Sequence, residues 1–280
     1  MRLRFAPAAL LGVAALWGST FFLMKSAIRR QDVNSFLFTR FLVALFVMIL
    51  VRPKILTLIS KDILLRGGIA GTFLAAGFIL QTLGLGRTTA AVTGFITGLY
   101  VVITPLMAFL FHKERLPLRT WGYIFMATLG LALLSLHGWA IGMGELFVLG
   151  GAIAFGAQII VLSKWSAGRD PYLFTIVQIG TCVLISGFAA VLGGFHTPPD
   201  SGVWAVVIFT AVFATALAFL IQTWAQSHLP SSKVAVILVM EIVFAAFFAV
   251  IFGGESLSAQ VALGGALIIA AMYFIVSQDT

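Results

Sequence analysis

Among nine acidic residues, only Glu241 falls near the middle of a long apolar run, between Val236–Met240 and Ile242–Ala245. A carboxylate at bilayer depth costs several kcal/mol unless it is paired, hydrated or protonated. Two roles fit it: a proton site or ligand for a cationic group, or a neutral acid that only braces its helix. A second feature lies in Gly77–Leu118. Thr93, Thr97, Tyr100 and Thr104 follow one another at spacings of 4, 3 and 4, which puts them on one helix face. Lipid offers hydroxyls no partner, so this stripe faces either a cavity or a neighbouring helix. Gln81, Gln158 and Gln222 are amides in otherwise apolar segments. They can orient a zwitterion or bond adjacent helices. Trp17 and Trp224 can stack on a substrate, although tryptophan near span ends more commonly anchors a helix at the interface.

Other chemistry finds no support in the residue pattern. His112, His137, His196 and His228 are scattered, and no His/Asp/Glu group has metal-ligand spacing. The single cysteine, Cys182, leaves no intramolecular disulfide. No phosphate-binding loop, dinucleotide fingerprint or Ser-His-Asp arrangement is visible. The expectation is a protein with no cofactor, no metal and no enzymatic activity.

These residues belong to a chain of 280, with 61% hydrophobic and 9% charged residues. Soluble domains carry about 25% charged residues, so the lipid bilayer is the expected solvent. With about 20 apolar residues needed per crossing, there is room for ten spans. They are placed at about 5–25, 35–51, 66–85, 89–111, 119–137, 144–163, 171–192, 203–225, 233–252 and 259–277. Pro53, Pro117, Pro198-Pro199 and Pro230 fall between them. The net charge of +8 is read as a topology signal rather than as affinity for nucleic acid. Twelve Lys and Arg residues fall on the side of the N-terminus and five on the other. The positive-inside rule then puts both termini in the cytoplasm of a cell-membrane protein, here a bacterial inner membrane.

The chain repeats itself. Gly77–Leu118 aligns without a gap to Ala218–Ala259, 141 residues on, with nine of 42 positions identical. Gln81-Thr82 falls on Gln222-Thr223, Glu114 on Glu255, and Tyr100 on Glu241. Asp32 and Asp170 match at a shift of 138. Two repeats of five helices each, 1–138 and 139–280, must be inverted in the membrane, because an odd number of crossings reverses the second copy. The expected fold is therefore all-α, with ten transmembrane helices as two inverted five-helix repeats. The polarity of the spans points to a central chamber lined by spans 1, 3, 4, 6, 8 and 9, with 5 and 10 at the edge. Tyr100 and Glu241 should face each other across the two-fold axis.

Several pieces resemble the ten-helix, EamA-type branch of the drug/metabolite transporter superfamily. They are Trp17-Gly18-Ser19-Thr20-Phe21, Arg40, Pro105, the Glu-x-Leu pairs at Glu114 and Glu255, and Glu241-Ile242-Val243-Phe244-Ala245, where Ile242 replaces a proline. The resemblance implies export or exchange of small metabolites, often amino acids, by alternating access. It places Ser19 with Trp17 among the substrate contacts. Proton coupling through Glu241 is expected to drive export. Membrane-embedded enzyme and passive channel are the competing classes. Clustered carboxylates or pore rings would favour them, and neither is seen. Arg40, about a turn inside span 2, is expected to snorkel to the surface, and Glu114 and Glu255 to cap helix ends. Oligomeric state and substrate identity are left open by the sequence.

Overall fold

A computed structural model describes residues 5–88, 90–112, 117–135, 142–253 and 259–277. The described residues form helices joined by short turns. They run α1 (Ala6–Ala27), α2 (Val33–Val51), a short 3-10 turn (Pro53–Leu58), α3 (Lys61–Leu85), α4 (Ala90–Gly98), α5 (Tyr100–His112) and α6 (Leu118–Ser135). The second half runs α7 (Met143–Trp165), α8 (Pro171–Gly193), α9 (Ser201–Ala211), a π-helical turn (Val212–Leu217), α10 (Ala218–Gln226), α11 (Ser231–Leu238), α12 (Met240–Gly253) and α13 (Ala259–Ser277).

Among the described residues, eight helical stretches are long and apolar enough to cross a membrane. Three of them are compound: α4–α5, α9–α10 through the π turn, and α11–α12. The remaining two helices, α6 and α13, pack along each other. Together they make ten helical stretches, five in each half. The starts are fixed by local chemistry. Asp32 accepts the Ser35 amide, Ser60 the Ile63 amide, Asp170 the Tyr172 amide and Asp200 the Val203 amide, so four helices open on a capping side chain.

The packing follows a two-fold relation between the halves. Helix α1 lies along α12, and α7 lies along α5. Gly18 makes the first approach possible: a Cβ there would sit 2.5 Å from the Glu241 carbonyl and 2.8 Å from the Ala245 amide. Gly156 occupies the same place in the second contact, where a Cβ would meet Ile103 Cγ2 at 3.1 Å and Thr104 Oγ1 at 3.4 Å. Gly94 packs against the Ile242 side chain, a notch rather than a ligand site.

The same relation governs the ion pairs at the bundle ends. Arg30, after α1, pairs with Asp200 at the start of α9 at 2.8 Å. Arg169, before α8, pairs with Asp62 at the start of α3 at 2.8 Å. Asp62 and Asp200 stand 138 residues apart, the shift that relates Asp32 to Asp170. These two pairs thus tie opposite ends of the bundle, and Arg52–Asp170 at 2.9 Å joins the second of them at its end. All three are solvent-exposed, so they contribute little to global stability. The Val203 amide, and then Arg30, hold the Asp200 carboxyl below the usual carboxylate range. A depressed pKa stabilises above the unfolded value and is lost only as pH falls through the folded one. This tie is therefore unaffected between about pH 5 and 8.

Candidate functional site

Tyr100 and Glu241 each follow an interruption in a membrane-spanning helix. Span 4 breaks at Leu99, one residue ahead of Tyr100, and span 9 at Val239, two residues ahead of Glu241. The i-to-i−3 bonds Leu99 to Ile96 (3.2 Å) and Ile242 to Val239 (3.1 Å) tighten the backbone at these points. Interrupted helices at mid-membrane depth are a feature of transporter binding sites. The Tyr100 hydroxyl lies beside the Glu241 carboxylate. It is buried without a hydrogen-bond partner at bonding geometry.

Both residues line an internal chamber. Its polar groups are Trp17, Thr20, Arg40, Gln81, Thr97, Tyr100, Gln158, Gln222 and Glu241. Its apolar wall includes Phe21, Met24, Phe78, Leu85, Phe155, Ile159, Phe219 and Leu238. The chamber offers about 50 Å³ to water centres, room for a few waters at roughly 10–15 Å³ each. Spans 1, 3, 4, 6, 8 and 9 contribute, and so does span 2 through Arg40. Neither α6 nor α13 does.

The amides form a connected set. Gln222 donates to Gln158 (3.4 Å), Gln158 to Gln178 (3.0 Å), and Gln178 to Thr223 (3.3 Å), which also accepts from Thr175 (3.0 Å). The chain ends in the chamber at Gln222 Oε1, which has no partner. Across the repeat, Gln81 donates to Thr97 at 3.1 Å. Gln226 turns away and donates to Ile159 O and Ser163 Oγ. The amides thus bond helices to one another, and three of them, Gln81, Gln158 and Gln222, also line the chamber.

Three of the ten residues singled out by the sequence lie off the chamber. Ser19 donates back to Leu16 O on its own helix (2.7 Å). Thr93, one turn before Thr97 on α4, is buried but does not line the chamber. Trp224 packs at a tilt against His228, with ring centroids 5.8 Å apart. Trp17 is not an interface anchor. Its indole donates to Ala214 O at 2.9 Å and its ring packs on Phe219. Glu114 and Glu255 lie outside the described residues.

Arg40 corrects the sequence reading. It does not snorkel: it is 1% exposed and lines the chamber. Its Nε donates to Thr215 Oγ1 at 2.8 Å, and Nη1 and Nη2 reach Met24 Sδ and Ala214 O. Its guanidinium carbon stands 4.8 Å from the Phe78 ring centroid, a desolvated cation–π contact of about 2 kcal/mol. The two oxygen acceptors, Thr215 Oγ1 and Ala214 O, come from the π-helical turn. The wider turn breaks the regular i-to-i−4 ladder and leaves the Ala214 carbonyl facing Trp17 and Arg40, as π turns at functional sites commonly do. Asp or Glu within ion-pair distance of Arg40 is absent among the described residues.

With this geometry in view, comparison with known proteins decides the family. The EamA-like transporter family model matches residues 4–136 and again 142–277. The chain belongs to the EamA-like transporter family. An Archaeoglobus fulgidus protein described as an uncharacterized transporter is 33% identical over 263 residues, covering 94% of this chain and 83% of that one. A solved crystal structure, described only as that of a protein, shares the fold with a TM-score of 0.77 at 17% identity. It covers 97% of this chain and 96% of its own. The two EamA segments coincide with the two five-helix halves, so the chamber sits where the repeats meet. It is a polytopic membrane transporter, with a bilayer around it and a small molecule as its cargo.

Proposed function

We propose that this EamA protein is a secondary carrier for amino acids or related small zwitterions, exporting or exchanging them across a bacterial inner membrane. The repeats rock about the central chamber, so that it opens to one face at a time. The observation that carries this reading is the meeting of Tyr100 and Glu241, repeat partners behind matched helix breaks, in one chamber at the repeat interface. The exposed ion pairs at the two ends support it. Each is weak enough to break in turn, and Arg30–Asp200 and Asp62–Arg169 occupy equivalent places on opposite faces. Glu241 holds either the substrate ammonium or a proton, which couples export to proton entry. The repeats divide at 1–138 and 139–280, and both termini face the cytoplasm. A periplasmic reporter fused to the C-terminus should be inactive; an active one would invert or break this topology.

The carrier reading is tested by thiol labelling. Thr97 and Tyr100 are 2% and 3% exposed. Cysteines placed there, in a Cys182→Ala background, should react with a membrane-impermeant reagent only while the chamber is open to that face. Substrate should change the labelling rate. Complete protection from both faces under all conditions would contradict alternating access through this chamber.

A further inference from the structure

Resting on the carrier reading, we infer that Arg40 is the residue that recognises the substrate's anionic group, and so sets the requirement for a carboxylate. Its guanidinium is buried, and the groups that bond it are a hydroxyl, a thioether and a backbone carbonyl, all neutral. A guanidinium cannot discard its charge inside a protein. A buried cation held only by neutral groups is strongly disfavoured unless an anion completes the site. The acid that lines the same chamber, Glu241, makes no ion pair with it.

The geometry points to a bound anion rather than to a structural bridge. Arg40 opens onto the chamber, and its planar fork is suited to a carboxylate. Two further polar atoms, Tyr100 Oη and Gln222 Oε1, are buried on chamber-lining residues with no partner. A ligand that bonds them satisfies groups that are costly to leave unmade. Thr215 and the Ala214 carbonyl hold the guanidinium in place. Trp17, tied to the same carbonyl, closes one wall beside it. The chamber thus offers one cation and one anion to a single ligand. Arg40 takes the carboxylate and Glu241 the ammonium, while aromatic rings face the body of the molecule.

The test compares matched probes on the purified protein. The twenty proteinogenic amino acids, their α-amides and their α-deamino carboxylic acids are each added at fixed ionic strength, and thermal unfolding is followed. At least one amino acid should raise the midpoint saturably by several degrees, and its amide should do so at least tenfold more weakly. Arg40→Gln should abolish the preference for the acid over the amide, and Arg40→Lys should retain part of it. Equal stabilisation by acid and amide in the wild-type protein would overturn the Arg40 assignment and leave the carrier reading intact. That comparison needs no variant, so it holds even if Arg40→Gln fails to fold. Stabilisation by none of the amino acids would count against both the substrate class and the assignment. Thiol labelling that still alternated between faces would then keep the carrier mechanism itself.

Discussion

Replacing Glu241 by glutamine should abolish proton-driven accumulation while leaving substrate exchange in place. Glutamine matches the neutral acid in size and polarity, so the chamber and its Tyr100 neighbour are retained. What is lost is the alternation between a carboxylate that holds the substrate ammonium and an acid that carries a proton. A carboxylate at this depth is stable only when paired or protonated, and each half of the cycle supplies one of these. The expected result is at least a tenfold loss of uptake into vesicles driven by a pH gradient. Exchange measured without a gradient should persist. The Asp200 tie does not titrate across the pH range of such an experiment, so it does not mimic the effect. Wild-type pH dependence of driven transport in Glu241→Gln, at unchanged protein level, would show that Glu241 only braces α12.

The second large effect is expected at Gly18, and its repeat partner supplies the control. At Gly18→Ala the new methyl meets backbone: the Glu241 carbonyl at 2.5 Å and the Ala245 amide at 2.8 Å. Backbone cannot step aside, so α1 and α12 must separate, which shifts Glu241 within the chamber. At Gly156→Ala the nearest atoms are the ends of Ile103 and Thr104 side chains, at 3.1 and 3.4 Å. A few tenths of an ångström of side-chain movement absorbs that. Overpacking costs about 1–3 kcal/mol or more where neighbours cannot yield. Gly18→Ala should therefore lose several degrees of thermal midpoint and most transport activity. Gly156→Ala should stay within about 1 kcal/mol of wild type. Equal effects at the two glycines would contradict the difference between these two contacts.

The fold was largely legible in the sequence, because it depends on features that composition and spacing record. Apolar runs of spanning length, prolines between them and the 141-residue repeat are enough to place ten helices and invert the halves. The pairing of Tyr100 with Glu241 was legible for the same reason: two-fold symmetry brings equivalent positions together. Arg40 was not. Whether an arginine one turn inside a span turns outward or inward depends on which acceptors lie next to it, and here they come from Ala214 and Thr215, about 175 residues away. The π-helical turn that supplies them has the sequence Val-Phe-Ala-Thr-Ala-Leu, indistinguishable by composition from ordinary helix. Ser19, Thr93 and Trp224 differ in the opposite sense, since none of them lines the chamber. Their residue types suit a binding site, but Ser19 bonds back to its own helix, Trp224 packs on His228, and Thr93, though on the face of Thr97, lies a turn short of the chamber.

The central claim is that one chamber between two repeats carries substrate by alternating access, and counterflow tests it most directly. Proteoliposomes are loaded with a millimolar concentration of the unlabelled amino acid that best stabilises the protein, then diluted into a trace of the labelled form. A carrier returns from the efflux step with its site ready to take up tracer. The account therefore predicts a transient rise of internal tracer above its equilibrium level, with an initial rate that saturates. Tracer that only relaxes to equilibrium, at a rate linear in concentration, would identify a passive pore and contradict the account.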